Sequence, residues 1–231
     1  MGATDFGRRR EGPHDSPKQA LPRSPQAHRI EKLAPIRSYA HTERPRGKLA
    51  RRKRREIMAV RVSLVPLGHP EPDDLRRLAR DLAAVGFRAH VATSEAIPER
   101  AYDAERGQYL ADAFLPGLGE RASERVLGVT EVDLYSPGLN FVLGIANTGG
   151  RAALISFARL RQGADERRFR ERALKEAVHE LGHALGLGHC PDPDCVMHFS
   201  NRLSDTDRKR GTYCATCFAR LKDMRWPLGE S

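Results

Sequence analysis

Along residues 57–231 the apolar positions fall into short runs whose period changes several times. "VRVSLVPLG" (60–68) is β-rich and ends in Pro and Gly, which predicts a strand. "EPDDLRRLARDLAAVGF" (71–87) places Leu75, Leu78, Leu82 and Val85 at spacings of 3, 4 and 3. With acidic residues at its start and Gly86 at its end, it predicts an amphipathic helix. "FRAHVAT" (87–93) predicts a second strand, and "AERGQYLADAFL" (104–115) a second helix stopped by Pro116. Three strand-like runs follow at 125–135, 140–147 and 151–160, with a turn from Asn147 to Gly150 between the last two. A long helix over 165–187 comes next. The alternation predicts an α/β fold, a mixed sheet with helices against it.

The long helix has two unlike faces. With Leu181 as origin and about 100° per residue, Leu174, Ala177, Val178 and Leu185 form one apolar stripe. His179 and His183 then fall at about 160° and 200°, opposite that stripe. The helix can press one side on the sheet while both imidazoles point away from it. The stretch "HELGHALGLGH" (179–189) contains H-E-x-x-H, in which two histidines at i and i+4 can share a zinc ion. A catalytic zinc needs a third protein ligand and one open position. Gly186 can end the helix in a left-handed turn, and His189, three residues on, can return to the metal. Glu180 lies about 100° round from His179, too far off-axis to share the metal easily. It can instead take a proton from water activated by the metal and pass it to a leaving amine.

Charge is unevenly placed. Residues 1–56 hold 16 Lys/Arg against 6 Asp/Glu, an excess equal to the whole chain's net charge of +10. This segment is rich in Pro, has no apolar period and ends in "RGKLARRKRRE", so it is expected to be a basic, disordered extension. A basic arm can serve nucleic acid or an anionic surface. The bland readings are a solvated tail, or upstream sequence joined by a wrong start, since Met58 directly precedes "AVRVSLVPLG". No apolar run follows Arg8-Arg9-Arg10, and none elsewhere is long enough to span a membrane. The expectation is a cytoplasmic protein without membrane contact, and nucleic acid enters only through the tail.

All four cysteines lie beyond the helix, Cys190 and Cys195 as C-x4-C and Cys214 and Cys217 as C-x2-C. Two short-spaced pairs of soft ligands suit a closed four-cysteine zinc site. Two disulfides are the competing reading, but they require an oxidising compartment. Cys190 follows His189 directly, so a closed site there would brace the third histidine.

The string His179-Glu180-x-x-His183-x-x-Gly186-x-x-His189, then Cys190-x4-Cys195-x-Met197 and Cys214-x-x-Cys217, resembles the archaemetzincins, a branch of the metzincin zinc peptidases. The resemblance covers most of 57–231, including "LGVTEVDLY" and "LNFVLGIAN", which sit where that family has sheet strands. Sixteen residues separate Met197 from Cys214, one fewer than the family spacing. The resemblance implies a zincin/metzincin-like twisted mixed sheet with an active-site helix and a small C-terminal part braced by the four-cysteine site. It also implies two Zn2+ per chain, one held by His179, His183 and His189 and one by the four cysteines. Glu180 would be general base and acid, and Met197 the methionine of the turn beneath the metal. Phe141 to Ala146 would form the cleft's upper edge, able to pair with a peptide substrate, with Gly144 allowing close approach. No Tyr or Arg can be assigned as a further oxyanion donor; Tyr135, Tyr213 and His198 are the candidates, and a structural role is the favoured reading of each. The function expected is zinc-dependent peptide hydrolysis. The rival classes are a zinc-stabilised peptide-binding module and a nucleic-acid-associated protein acting through the basic arm.

Overall fold

A computed structural model of the chain describes residues 60–223. The basic extension expected over 1–56 lies outside the described residues.

Five strands form the main sheet: β1 (Arg61–Leu67), β2 (Arg88–Val91), β5 (Arg125–Thr130), β7 (Gly144–Ala146) and β8 (Ala152–Ser156). Their order is β2-β1-β5-β8-β7; the first four are parallel and β7 runs antiparallel along β8 at the edge. The central strands read as near-continuous apolar runs because both faces are covered. Val62 and Leu64 of β1, Leu127 and Val129 of β5, and Ala153 and Ile155 of β8 pack into one core, under helices α1 (Pro72–Val85) and α4 (Glu166–Ala184). The alternating Val65, Leu67, Val126, Ala152 and Leu154 enter a second core, against Leu115 and Leu118 of α2 (Leu115–Gly119). The period of two along each strand thus feeds both layers.

Four expectations change in detail. The helix expected over 104–115 is instead a turn, a short strand β4 (Gln108–Leu110) and a 3-10 turn. Asp103 Oδ1 accepts from the backbone N–H of Glu105 and Arg106, which folds β3 (Tyr102–Asp103) back on β4. Pro116 sits in the first turn of α2 and starts that helix, because its missing N–H is unpaired there anyway. The strand expected over 125–135 breaks after Thr130, and β6 (Leu134–Tyr135) joins β3 and β4 in a separate three-stranded sheet. The strand expected over 151–160 stops at Ser156, whose Oγ accepts from Ala158 N and caps α3 (Phe157–Leu160).

The edge strand is also shorter than expected. Only Gly144–Ala146 pair with β8, because Val142 turns to bridge Leu134 of the small sheet. Phe141 lies outside the strand, with the Arg159 guanidinium over its ring at 4.2 Å.

Candidate functional site

Helix α4 begins on Asp165, whose side chain accepts from Arg168 N at 2.8 Å. Ala177, Val178, Leu181 and Leu185 are buried as the periodicity predicts. The opposite side is covered too: Glu176, His179 and Glu180 are at most 5% exposed. The helix is therefore sandwiched between the sheet and the C-terminal segments rather than wet on its polar side. Its end follows from Gly186, at φ 93°. Gly186 N–H donates to His183 O and Leu187 N–H to Gly182 O, a Schellman ending that turns the chain back.

That turn brings three imidazoles together. The candidate ligand nitrogens of His179, His183 and His189 lie within 4.8 Å of one another. His179 Nδ1 meets Val196 O at 2.7 Å and His183 Nδ1 meets Leu187 O at 2.8 Å. A carbonyl only accepts, so each Nδ1 carries the proton and each Nε2 keeps its lone pair. The two Nε2 atoms stand 3.1 Å apart. A tetrahedral ion 2.0–2.1 Å from each nitrogen needs about 3.3 Å between them, so the donor set fits Zn2+. Burial holds the His179, His183 and His189 imidazoles below the ordinary histidine range, which keeps them neutral and available to a metal.

Glu180 reaches the same cleft, a cavity of about 490 Å³ that the three histidines, Gly144 and Ala146 also line. Burial, reinforced by the neighbouring Glu176 carboxyl, pushes the Glu180 carboxyl well above the usual range, and Lys209 opposes that shift. Gly144 stands against it: a Cβ there would meet Glu180 Cγ at 2.7 Å and Leu154 O at 2.7 Å. The edge strand and the acid can approach only because that position is glycine.

The four cysteines gather on the other side of His189. Cys190 Sγ and Cys214 Sγ are 3.8 Å apart, as are Cys195 Sγ and Cys217 Sγ. All four are free cysteines, and the closest sulfurs stand well beyond S–S bonding distance. A tetrahedral zinc at about 2.3 Å from each sulfur requires sulfurs about 3.8 Å apart, and this cluster meets that spacing. Backbone N–H groups of Cys214 and Cys217 point at Cys195 Sγ and Cys214 Sγ. Burial pushes the Cys195 thiol up to about 11, so a bound cation would have to displace its proton.

Met197 is buried, with its sulfur against Gly182 of α4 and its carbonyl accepting from Cys190 N. The three candidate oxyanion donors are engaged elsewhere. Tyr135 OH donates to Asp103, Tyr213 OH to Val178 O, and His198 Nδ1 to Cys190 O, and none of them lines the cleft. Several cleft residues had no place in the sequence reading, among them Glu176, Ser200 and Lys209. Glu176 could have been noticed as a second acid one turn before Glu180. Lys209 is lost among the charges of "DTDRKRG".

Comparison with known proteins agrees with this geometry. The family model for Peptidase family M54 matches residues 90–223. An archaemetzincin of Pyrococcus furiosus is 44% identical over 177 residues, covering 70% of this chain and 92% of the relative. The crystal structure of a Methanopyrus kandleri archaemetzincin superposes with a TM-score of 0.64 at 39% identity, covering 72% of this chain and 96% of that one. An Archaeoglobus fulgidus archaemetzincin, solved as a malonate complex, gives 0.64 at 38% identity, over 69% of this chain and 99% of its own. With its mixed α/β fold and its clustered histidines and cysteines, the chain belongs to peptidase family M54, the archaemetzincins, and is a zinc metallopeptidase.

Proposed function

We propose that His179, His183 and His189 hold a catalytic zinc and that Glu180 is the general base of peptide hydrolysis. The observation that carries this reading is the convergence of three imidazoles and a buried carboxyl on one cleft under an open strand edge. Zinc, when bound, supplies a Lewis acid that polarises a carbonyl and makes water more acidic. The carbonyls of Val196 and Leu187 fix two of the imidazoles in the tautomer that leaves Nε2 free. Glu180 takes the proton of the attacking water and returns it to the departing amine. Its burial raises its hold on a proton, which suits a group that must accept one and give it back.

The substrate lies as an added strand along β7, paired through its backbone, with Gly144 leaving room for it and Phe141 on the wall of the cleft. The four cysteines hold a second, structural zinc, making two per chain, and Gly186 and Met197 support the first site. Residues 57–231 make up the peptidase unit and 1–56 an appended basic arm. The balanced charge beyond residue 56 supports no nucleic-acid role for the unit. Among the described residues no helix is long and apolar enough to cross a membrane. A cytoplasmic location fits four cysteines kept as thiols.

The test is cleavage of a mixed fluorogenic peptide library by zinc-loaded protein beside its Glu180→Ala variant, with metal content measured in both. The expected result is two zincs in each and a rate loss of about 10²–10⁴-fold in the variant. Equal cleavage by both would remove Glu180 as the base. Silence from both, with two zincs bound, would favour the peptide-binding module.

A further inference from the structure

The wall of the cleft holds more polar groups than hydrolysis of a peptide bond requires. Lys209 is 2% exposed, yet it lines the cavity. An ammonium carries three donors. Its one hydrogen bond among the described residues goes to His198 O, at 3.2 Å. Glu176, 5% exposed, lines the same cavity, and its buried Oε2 has no hydrogen-bond partner among the described residues. Ser200, three residues after Met197, lines it as well, and its buried Oγ is also unpartnered there. Buried polar atoms are rarely left unsatisfied, and a cluster of them in one cavity marks a place made for a ligand.

The charges narrow the ligand's chemistry. Lys209 and Glu176 act on each other electrostatically without joining in an ion pair. Glu176 is also hydrogen-bonded to the Glu180 carboxyl, which requires one proton between the two acids; that pair and Lys209 are together neutral, so they suit a dipole better than an ion. Lys209 and Ser200 can donate to an acceptor, while the unpartnered carboxyl oxygen Oε2 of Glu176 can accept from a donor. Among side chains, one group offers a carbonyl oxygen and an N–H on the same carbon: the primary carboxamide of Asn and Gln.

We propose that Lys209, Ser200 and Glu176 form a specificity subsite that receives the carboxamide of an Asn or Gln residue flanking the scissile bond of the substrate. The carboxamide oxygen accepts from Lys209 Nζ and Ser200 Oγ, and its N–H donates to Glu176 Oε2. An apolar side chain of the same size would leave all three groups buried and unpaired, and such sites discriminate strongly. This subsite rests on the peptidase reading above.

The experiment uses zinc-loaded full-length protein and peptides that differ at one position on either side of the cut, carrying Gln, Asn, Glu, Leu or Met. At one of the two positions, kcat/KM for Gln or Asn should exceed that for Leu or Met at least about 30-fold. Lys209→Met and Ser200→Ala should each shrink that ratio, Lys209→Met by about tenfold or more. Glu176→Gln turns an acceptor into a group that can also donate, and should move preference from Gln toward Glu. A purely structural role would lower all substrates together and leave the ratios alone. If Lys209→Met fails to fold, the isosteric Glu176→Gln and the one-atom Ser200→Ala carry the same comparison. Peptide binding to the Glu180→Ala variant gives a second readout that needs no turnover. Cleavage without carboxamide preference, or ratios unmoved in the variants, overturns the subsite and leaves the peptidase standing. Binding that favours Gln with no cleavage by the unsubstituted protein supports the subsite and overturns the peptidase. Neither cleavage nor selective binding overturns both.

Discussion

Single atoms decide the arrangement at Gly144. A methyl there would meet Glu180 Cγ and the Leu154 carbonyl oxygen at 2.7 Å, too close for either to stay where it is. Gly144→Ala should therefore push the carboxyl aside, and a displacement near 1 Å costs about 100-fold in rate. Zinc content should stay unchanged, so kcat beside metal analysis separates this from loss of the ion; an unaltered kcat would mean that the acid is not held against the strand. Much of this site was readable in the sequence. The spacing of His179, His183 and His189 around Gly186 encodes a helix, its end and a return, which is local geometry. Ser200 and Lys209 were unreadable, and so was their nearness to Glu176, because it depends on how the segment after Met197 folds back over α4. Among 30 acidic and 40 basic residues, a buried pair has no mark of its own.

At the scale of elements, α4 and the cysteine segment share one hinge. His189 and Cys190 are adjacent, and Cys190 N donates to Met197 O at 2.9 Å. On the proposed assignment Cys190→Ser weakens the four-cysteine site and loosens the backbone that carries His189. Zinc affinity at the histidine cluster should then fall about tenfold or more, in the range found when groups supporting metal ligands are lost. Competition with a chelator measures it, and an unchanged affinity would show that the two clusters are independent. The same scale shows where periodicity misleads. Pro116 begins a helix instead of stopping one, and Ser156 converts a run of apolar residues from strand to helix by capping it. Both residues are start signals as well as breaks, and only the tertiary path selects between the two uses.

Across the whole molecule, Arg172 ties the segments together. Its side chain, 5% exposed, pairs with Asp207 through two nitrogens and donates to Leu160 O and Gln162 O, so α4 is joined to α5 (Leu203–Arg208) and to the end of α3. The Arg172 hydrogen bond holds the Asp207 carboxyl below the usual carboxylate range. A lowered folded pKa gives stability that is complete above the unfolded value of about 3.9 and is lost as pH falls through the folded one. Asp207→Asn should cost about 2 kcal/mol at neutral pH, less than for a wholly buried pair because the carboxylate is partly wet. Melting curves of both proteins should converge as pH falls from about 4 toward 2; a gap of constant size would show that the ion pair is not the cause. The alternation of strands and helices made the mixed sheet legible. The small second sheet was not, because strands of two and three residues carry no period.

The open side of β7 also bears on what the cell stands to lose. An unpaired edge binds backbone, and a chain already folded has its backbone amides engaged in its own sheets and helices. On the proposed binding mode, only a stretch that is extended and uncommitted can lie down beside Gly144 and Ala146. The selectivity that protects healthy proteins then lies in the fold of the victim as much as in the subsites of the protease. On that mode, nascent, damaged or already trimmed chains would be open to cleavage and intact folded ones would not.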